Sequence, residues 1–324
     1  MIEFNMKNAR TWSMLGPSGV LGLAMSELAM EDDKLAVITS DLCFFSGLER
    51  FKKAYPERLI NVGIAEQNMI GVAAGMAKEG MKVFTTTYAT FASTRALDQV
   101  RVNVGYMDIP IKIIGLTAGF AAGILGATHM STEDIAIMRS IPNMVVISPA
   151  DCMETMKAIL ATGKINKPVY IRMNGIQRAP IVYNKDYDFE IGKANKLKNG
   201  SEVSIIATGT AVYQALKDAE QLEARGISCD VIDVHTIKPI DTQMIISCCN
   251  RRAIVTVEEH SKIGGLGAAV AEVLAPLKNT PPHLFIGVND VYPHAASYET
   301  LLNESGLTAE KIYLNIIEFL KENK

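Results

Sequence analysis

Residues 109–116 read IPIKIIGL and, apart from Lys112, lack the alternation of a strand that keeps one face in water. Such a run predicts a strand that is buried on both faces, as in a parallel sheet covered by helices. Similar runs recur, with helical stretches between them, which is typical of parallel βαβ units. The expected strands are Lys34–Thr39, Lys82–Thr86, Ile109–Leu116, Met144–Ser148 and Val169–Arg172, and the expected helices are Val20–Met30, Glu66–Lys78, Phe91–Gly105, Glu133–Ser140 and Asp151–Ala161.

A polar stretch over residues 176–200 interrupts this pattern, with Pro180 inside it and an Asn-Gly turn signal at its end. The alternation then resumes with expected strands Val203–Thr208, Cys229–Val234 and Ala253–Val257, expected helices Ala211–Arg225, Thr242–Cys249 and Gly265–Leu274, and a terminal helix that Thr308 is expected to cap. We therefore predict the α/β class, with two consecutive three-layer domains, each a mostly parallel sheet flanked by helices. Their expected bounds are 1–178 and 199–324, joined by a linker over 179–198.

The composition narrows the class of protein. The 324 residues are 48% hydrophobic and 21% charged, and the net charge is −3, which gives no electrostatic case for nucleic acid or an anionic membrane. The five cysteines lack the CxxC spacing of a zinc site or redox pair. No run approaches the ~20 apolar residues of a membrane helix. We expect a cytoplasmic protein without metal ligands of its own.

The stretch NVGIAEQNMIGVAAGMA, residues 61–77, places Glu66 at the start of an apolar helix rich in glycine and alanine. A carboxylate in the first helical turn complements the helix dipole and is usually solvated. The small and apolar neighbours of Glu66 allow the alternative, a buried carboxylate that requires a partner. The residues alone leave both interpretations open.

This stretch closely resembles the glutamate motif of transketolases and 1-deoxyxylulose-5-phosphate synthases. The resemblance continues in the family's order through TYATFASTRALDQVR (87–101), GATHMSTEDIAIMRSIPNMVVISPAD (126–151), HTIKPID (235–241) and VEEHSKIGGLG (257–267). Family members also have an N-terminal domain whose Gly-Asp-Gly motif serves the cofactor diphosphate and Mg²⁺, and this chain contains no Gly-Asp-Gly. It is therefore similar to the pyrimidine-binding and C-terminal domains alone, as in the C-terminal subunit of a split transketolase.

The resemblance implies a thiamine diphosphate site. Glu66 would hydrogen-bond to the aminopyrimidine ring and favour the tautomer that takes the C2 proton. Tyr88 and Phe91 match aromatic residues that sandwich this ring, Phe91 first, although core packing is the alternative from the residues alone. Between Phe91 and Arg95 the chain has one residue more than animal transketolases. Asp41 matches an aspartate near the thiazolium, and a plain turn residue is the alternative.

The substrate end matches the family only in part. His129 matches a residue that contacts the substrate hydroxyl or carbonyl, with a satisfied loop histidine as the alternative. Arg10 matches a phosphate-side arginine. The position of a second such arginine holds Gly175, and Arg178 lies near enough in sequence to replace it.

Two further departures are apolar. A family aspartate four residues before the histidine is Leu125 here, and a polar pair after the aspartate turn is Phe44-Phe45. We expect the thiamine end to be retained and the sugar end to be remodelled. His235 and His260 match family positions in segments that serve packing, dimerisation or the substrate entrance, and Asp241 is expected to cap the next helix.

The function implied by the resemblance is transfer of a two-carbon ketol unit from a ketose, phosphorylated or otherwise anionic, to an aldose, as in the pentose phosphate reactions. The implied cofactors are thiamine diphosphate and Mg²⁺ (or Ca²⁺), the metal held mainly by an N-terminal partner subunit. We expect an α2β2 heterotetramer that is inactive without that partner. The alternatives are the β subunit of a 2-oxoacid dehydrogenase E1 and a non-catalytic scaffold. A deoxyxylulose-phosphate synthase is disfavoured because that enzyme is usually one chain.

Overall fold

The computed structural model describes residues 2–323. The strands are β1 (Leu35–Thr39), β2 (Leu59–Asn61), β3 (Lys82–Tyr88), β4 (Lys112–Ala118), β5 (Val145–Ile147), β6 (Val169–Asn174), β7 (Asn195–Lys198), β8 (Val203–Ala207), β9 (Cys229–Asp233), β10 (Thr236–Lys238), β11 (Ala253–Ser261) and β12 (His283–Val288). The helices are α1 (Met6–Glu31), α2 (Glu49–Ala54), α3 (Glu66–Lys78), α4 (Leu97–Gln99), α5 (Asp134–Ser140), α6 (Cys152–Thr162), α7 (Ala211–Glu223), α8 (Thr242–Ser247), α9 (Leu266–Leu274), α10 (Tyr298–Glu304) and α11 (Ala309–Glu322), with π-helical segments Phe91–Arg95 and Val100–Tyr106 on either side of α4.

The first sheet has seven strands in the order β10–β5–β6–β4–β3–β1–β2. Its strands are parallel except β10, which pairs antiparallel with β5. Val37 and Phe84 pack into an apolar cluster with α1 and α6, while the adjacent residues Ile38 and Val83 pack into a second cluster with α3. Helices therefore cover both faces, and the predicted α/β class is confirmed.

The second sheet has five strands in the order β12–β11–β8–β9–β7, parallel except that β7 pairs antiparallel with β9. Strand β7 (Asn195–Lys198) lies inside the stretch expected to be a linker. Its sequence NKLK is only partly buried because β7 is an edge strand. At α9, a Cβ atom on Gly267 would lie 2.3 Å from Phe285, so this glycine lets the helix approach β12 closely.

Helix α1 is longer than the sequence predicts, since it begins at Met6 rather than Val20. The Gly16-Pro17 pair signals a break, and Gly16 is indeed non-helical, with φ of +75°. Helical turns lie on both sides of Gly16, and Ala9 and Trp12 in the first part are buried in the core. The segment is therefore two helices joined at a kink at Gly16.

The two caps predicted from the sequence have different outcomes. Asp241 accepts a hydrogen bond from the Met244 N–H at 3.1 Å and caps α8, as expected. Thr308 occupies the N-cap position of α11, but its side chain makes no capping hydrogen bond, so the expected Thr308 cap is wrong. No helix within residues 2–323 is long and apolar enough to cross a membrane.

A buried acidic cluster joins the two sheets. Glu154 on α6 accepts a hydrogen bond from Tyr187 at 2.8 Å, and Asp233 at the end of β9 accepts one from Tyr183 at 2.6 Å. Burial raises the pKa of Asp233 to about 7 and the pKa of Glu154 well above its usual range. Burial disfavours the charged form of both carboxyl groups, so each keeps its proton to a higher pH than an exposed carboxyl group does. The junction therefore depends on protonation.

Candidate active site

The candidate site lies where three neighbouring strands of the first sheet end. Asp41 follows β1, Tyr88 ends β3, and the loop after β4 carries His129. Strands β1, β3 and β4 are adjacent and parallel, so their carboxyl ends meet at one edge. This is where open α/β sheets place ligands.

Glu66 is the first residue of α3, and its side chain is only 2% exposed. Arg95 Nη1 donates to Oε1 at 3.1 Å and to Oε2 at 3.0 Å. The carboxylate is therefore buried and paired, and the solvated alternative that the sequence allowed is wrong. Arg95 was not predicted from the sequence as the partner of Glu66.

The π-helical segment Phe91–Arg95 determines where Arg95 lies. The Ala96 N–H donates to the Phe91 carbonyl at 3.1 Å, an i→i+5 bond that holds one residue more per turn than an α-helix. This wider turn can accommodate the extra residue that the resemblance implies between Phe91 and Arg95. The Arg95 guanidinium stacks over the Phe91 ring, 4.0 Å from its centroid, while it binds Glu66.

Three rings gather beside this ion pair. Tyr88 and Phe91 have centroids 5.9 Å apart, and the His129 ring lies 5.8 Å from Tyr88 and 5.4 Å from Phe91. All three side chains are only half-buried, so part of each ring faces outward. The Tyr88 hydroxyl has a raised pKa because of burial. The structure thus brings Tyr88, Phe91 and His129 together with the Glu66–Arg95 pair.

Asp41 is exposed and has a left-handed backbone, with φ of +60°. Asn61 Nδ2 donates to Asp41 Oδ1 at 2.9 Å, and Asn61 Oδ1 accepts from the Asp41 N–H at 3.0 Å. This reciprocal pair fixes the turn after β1. Asn61 was not predicted from the sequence, although it opens the quoted motif at 61–77.

The segment that carries Arg178 is hydrogen-bonded to α1, the helix that carries Arg10. The Arg178 N–H donates to the carbonyl of Ser13, which is one helical turn after Arg10 on α1, at 2.7 Å. Both arginines are exposed. Gly175, at the position where the resemblance implies an arginine, has φ of +92°, a backbone conformation that residues with a side chain rarely adopt.

The apolar residues at positions where the resemblance implies polar ones are exposed. Phe44, Phe45 and Leu125 are 68%, 56% and 50% exposed, respectively. The Phe45 ring lies 6.5 Å from Tyr88, which puts it beside the ring cluster.

His235 and His260 lie away from the ring cluster and are fully buried. His235 stacks on Phe189 at 4.3 Å, and His260 packs beside Glu258. Burial lowers the pKa of each histidine to about 4, so both rings are neutral at physiological pH. These positions suit packing rather than proton transfer.

Comparison with known proteins identifies the family. Residues 17–176 match the family model of the transketolase pyrimidine-binding domain, and residues 192–312 match that of the transketolase C-terminal domain. The chain is 42% identical over 303 residues to a putative transketolase C-terminal section of Methanocaldococcus jannaschii, covering 93% of this chain and 95% of that protein.

It is 41% identical over 289 residues to the 6-deoxy-6-sulfo-D-fructose transketolase subunit SqwH of Clostridium sp. strain MSTE9, covering 88% of each chain. It also matches a 1-deoxy-D-xylulose-5-phosphate synthase of Caldanaerobacter subterraneus at 33% identity, but spans only 49% of that longer protein. A solved split-gene transketolase, described as an inactive β4 tetramer, superposes with a TM-score of 0.85 at 39% identity, covering 94% of this chain and 98% of that one. The chain therefore belongs to the transketolase family and carries its pyrimidine-binding and C-terminal domains.

Proposed function

We propose that this chain is the C-terminal subunit of a two-subunit transketolase that moves a two-carbon ketol unit from an anionic ketose to an aldose. The observation that carries this proposal is the buried carboxylate of Glu66, which is paired with Arg95 and lies beside the rings of Phe91, Tyr88 and His129.

Membership of the family implies dependence on thiamine diphosphate, which supplies a nucleophilic carbon and an electron sink when bound. The residues present fit its pyrimidine ring. Each carboxylate oxygen has two lone pairs, so Glu66 can accept from Arg95 and still accept from a ring N–H. Phe91 and Tyr88 supply aromatic surface for a flat heterocycle. Asp41 has an exposed carboxylate near this surface, at the end of β1.

In this proposal each polar side chain has one task. Glu66 holds or returns a proton at its carboxylate, and Arg95 keeps that carboxylate oriented. His129 donates a hydrogen bond to the substrate oxygen on which charge develops. Arg10 and Arg178 bind the anionic end of the ketose. A related subunit named for a sulfosugar agrees with an anionic substrate.

A partner subunit completes the site. Residues 2–323 contain no group of three side chains that could hold a metal ion, so we propose that the partner holds Mg²⁺ or Ca²⁺ and the diphosphate. The glycines Gly71 and Gly75 on α3 have open space where a Cβ atom would lie, which suits close contact with another chain. The solved relative described as an inactive β4 tetramer is consistent with a chain that requires its partner in an α2β2 assembly.

The test is reconstitution with a candidate N-terminal subunit that carries the Gly-Asp-Gly motif, followed by a ketol-transfer assay from ketose phosphates and sulfosugars. Glu66→Gln should lower kcat by at least about 100-fold, because a positioned acid–base group is lost. Glu79→Gln, an exposed change at the other end of α3, is the matched control. Activity of the lone chain would contradict the division between subunits. Release of CO₂ from 2-oxoacids would instead indicate an E1 β subunit, and an unchanged Glu66→Gln rate would contradict the catalytic role.

A further inference from the structure

The loop that carries His129 is closed at its base. The Gly119 N–H donates to the Ser131 carbonyl at 2.8 Å, so the two ends of the 119–131 segment are hydrogen-bonded. His129 lies two residues before the closing Ser131. Its ring position against Tyr88 and Phe91 therefore depends on how this base is held.

Glu259, at the end of β11 in the second sheet, binds the base of this loop. Its side chain is 2% exposed, and its Oε1 accepts from the Phe120 N–H at 2.7 Å, across 139 residues of sequence. Its Oε2 accepts from the hydroxyls of Thr210 and Tyr298, each at 2.6 Å. Three donors to one buried carboxylate fix it in place, because charge-assisted bonds are strong and an unpaired charge there is costly.

The backbone at Gly119 leaves room for the Glu259 carboxylate. Gly119 has φ of +62°, and a Cβ atom at Gly119 would lie 2.1 Å from Glu259 Oε1, so only glycine fits. At the other end, Arg172 Nη2 donates to the Ser131 carbonyl at 3.3 Å and to the backbone carbonyl of Glu259 at 2.8 Å. One end of the loop therefore binds Glu259 directly, through the Phe120 N–H, and the other end is linked to Glu259 through Arg172.

The second half of the chain also holds the far side of the loop. The Ala296 N–H donates to the Gly123 carbonyl at 3.1 Å. Tyr298, two residues later, binds Glu259. The base of the loop and Gly123 are therefore both held by contacts from the second half of the chain.

We propose that Glu259 is a positioning residue that orders the 119–131 loop and thereby sets the His129 ring against the substrate. This rests on the proposed role of His129. The second domain then contributes to the active site through the main chain of Phe120, without contacting the substrate itself.

Two substitutions of Glu259 distinguish the effect of side-chain length from the effect of its negative charge. Glu259→Asp keeps the charge but withdraws the carboxylate by one methylene from the Phe120 N–H. Glu259→Gln keeps the reach, and its oxygen can still accept from Phe120 while the two hydroxyls rotate to accept from the amide. Tyr298→Phe is the control that removes one donor to Oε2 and leaves the Phe120 bond in place.

Hydrogen exchange of peptides over 119–131 should be faster in Glu259→Asp than in wild type, and close to wild type in Glu259→Gln and Tyr298→Phe. In the reconstituted enzyme, Glu259→Asp should lower kcat by roughly 10- to 100-fold, as expected for a displaced catalytic group. The double variant Glu259→Asp/His129→Ala should have nearly the same kcat as His129→Ala alone, because both substitutions act through the His129 ring.

Equal effects of the Asp and Gln variants, unchanged exchange in Glu259→Asp, or fully additive losses with His129→Ala would each overturn the proposal. If the wild-type pair transfers no ketol unit, the proposed function fails. The exchange measurement on the isolated chain then still decides whether Glu259 orders the loop.

Discussion

At the scale of single residues, the carboxylate of Glu66 depends on a partner 29 positions away. Arg95 reaches both carboxylate oxygens through one nitrogen, and its guanidinium plane rests on Phe91. A carboxylate buried without such a partner would be destabilising. The ion pair therefore makes it possible to keep an acidic side chain next to a flat aromatic surface.

Arg10 and Arg178 should determine the preference for anionic substrates. Replacing either with Gln should raise KM for an anionic ketose by roughly 10- to 100-fold, because a charged hydrogen bond is lost. The kcat should change little, since the anionic end binds equally in the ground and transition states. Steady-state kinetics with an anionic and a neutral ketose would measure this.

Arg225→Gln, an exposed change just after α7 that also removes a stacking contact with Tyr313, is the control for loss of a positive charge elsewhere. An equal rise in KM for the neutral ketose would show that the two arginines hold the fold rather than the anion.

At the scale of elements, the N-cap residue of α6, Asp151, also hydrogen-bonds to the segment that connects the two sheets. Asp151 Oδ1 accepts from the Glu154 N–H at 2.9 Å, and Oδ2 accepts from the Val182 and Tyr183 N–H groups, each at 2.8 Å. The N-cap of α6 is therefore also the anchor of the segment that leads to β7. A carboxylate suits this position because all three neighbours are donors.

Asp151→Asn should lower the free energy of unfolding by about 2–3 kcal/mol, because the amide group would face N–H donors with its own donors. The change is nearly isosteric, so a loss cannot be assigned to packing. Urea unfolding would measure it, with Asp188→Asn, an exposed residue of the same segment, as the control. Equal stability of wild type and Asp151→Asn would contradict this assignment of the three bonds.

At the scale of the whole molecule, substitutions of Gly71 can show whether α3 contacts another chain. Nothing lies within 4 Å of a Cβ atom built at Gly71. Gly71→Ala should therefore stabilise the isolated chain by about 0.5–1 kcal/mol, because alanine is the better helix former. Gly71→Leu should weaken binding to the partner subunit by at least about tenfold.

Thermal unfolding and analytical ultracentrifugation would measure the two effects. Gln221→Leu, which adds the same side chain to the exposed face of α7, is the control. If Gly71→Leu binds the partner subunit as tightly as wild type does, α3 is not part of the interface with that subunit.

The acidic junction between the sheets should make stability fall as the pH rises. The folded chain keeps protons on Glu154 and Asp233 that the unfolded chain releases near the ordinary carboxyl pKa values. Their contribution is therefore complete below about pH 4 and is lost as the pH rises through the Asp233 pKa of about 7. Calorimetry at several pH values should show Tm decreasing between these limits.

Asp233→Asn should flatten that decrease. The amide group does not titrate, and its oxygen can accept a hydrogen bond from Tyr183 at any pH in this range. The exposed Asp188→Asn should keep the wild-type slope. Identical slopes in Asp233→Asn and wild type would show that the pair does not titrate as proposed.

The sequence by itself determined the α/β class, the parallel strands and the start of α3 at Glu66, because these follow from the spacing of apolar residues over short distances. The short strands β2, β7 and β10 carry too little apolar signal to be predicted. Strand β12 has the apolar sequence HLFIGV and was nevertheless not predicted. Whether Glu66 is solvated or paired, and which residue holds the His129 loop, was decided only by the tertiary structure. Arg95 and Glu259 lie 29 and 139 positions from the groups they bind, and no local pattern encodes contacts between distant segments.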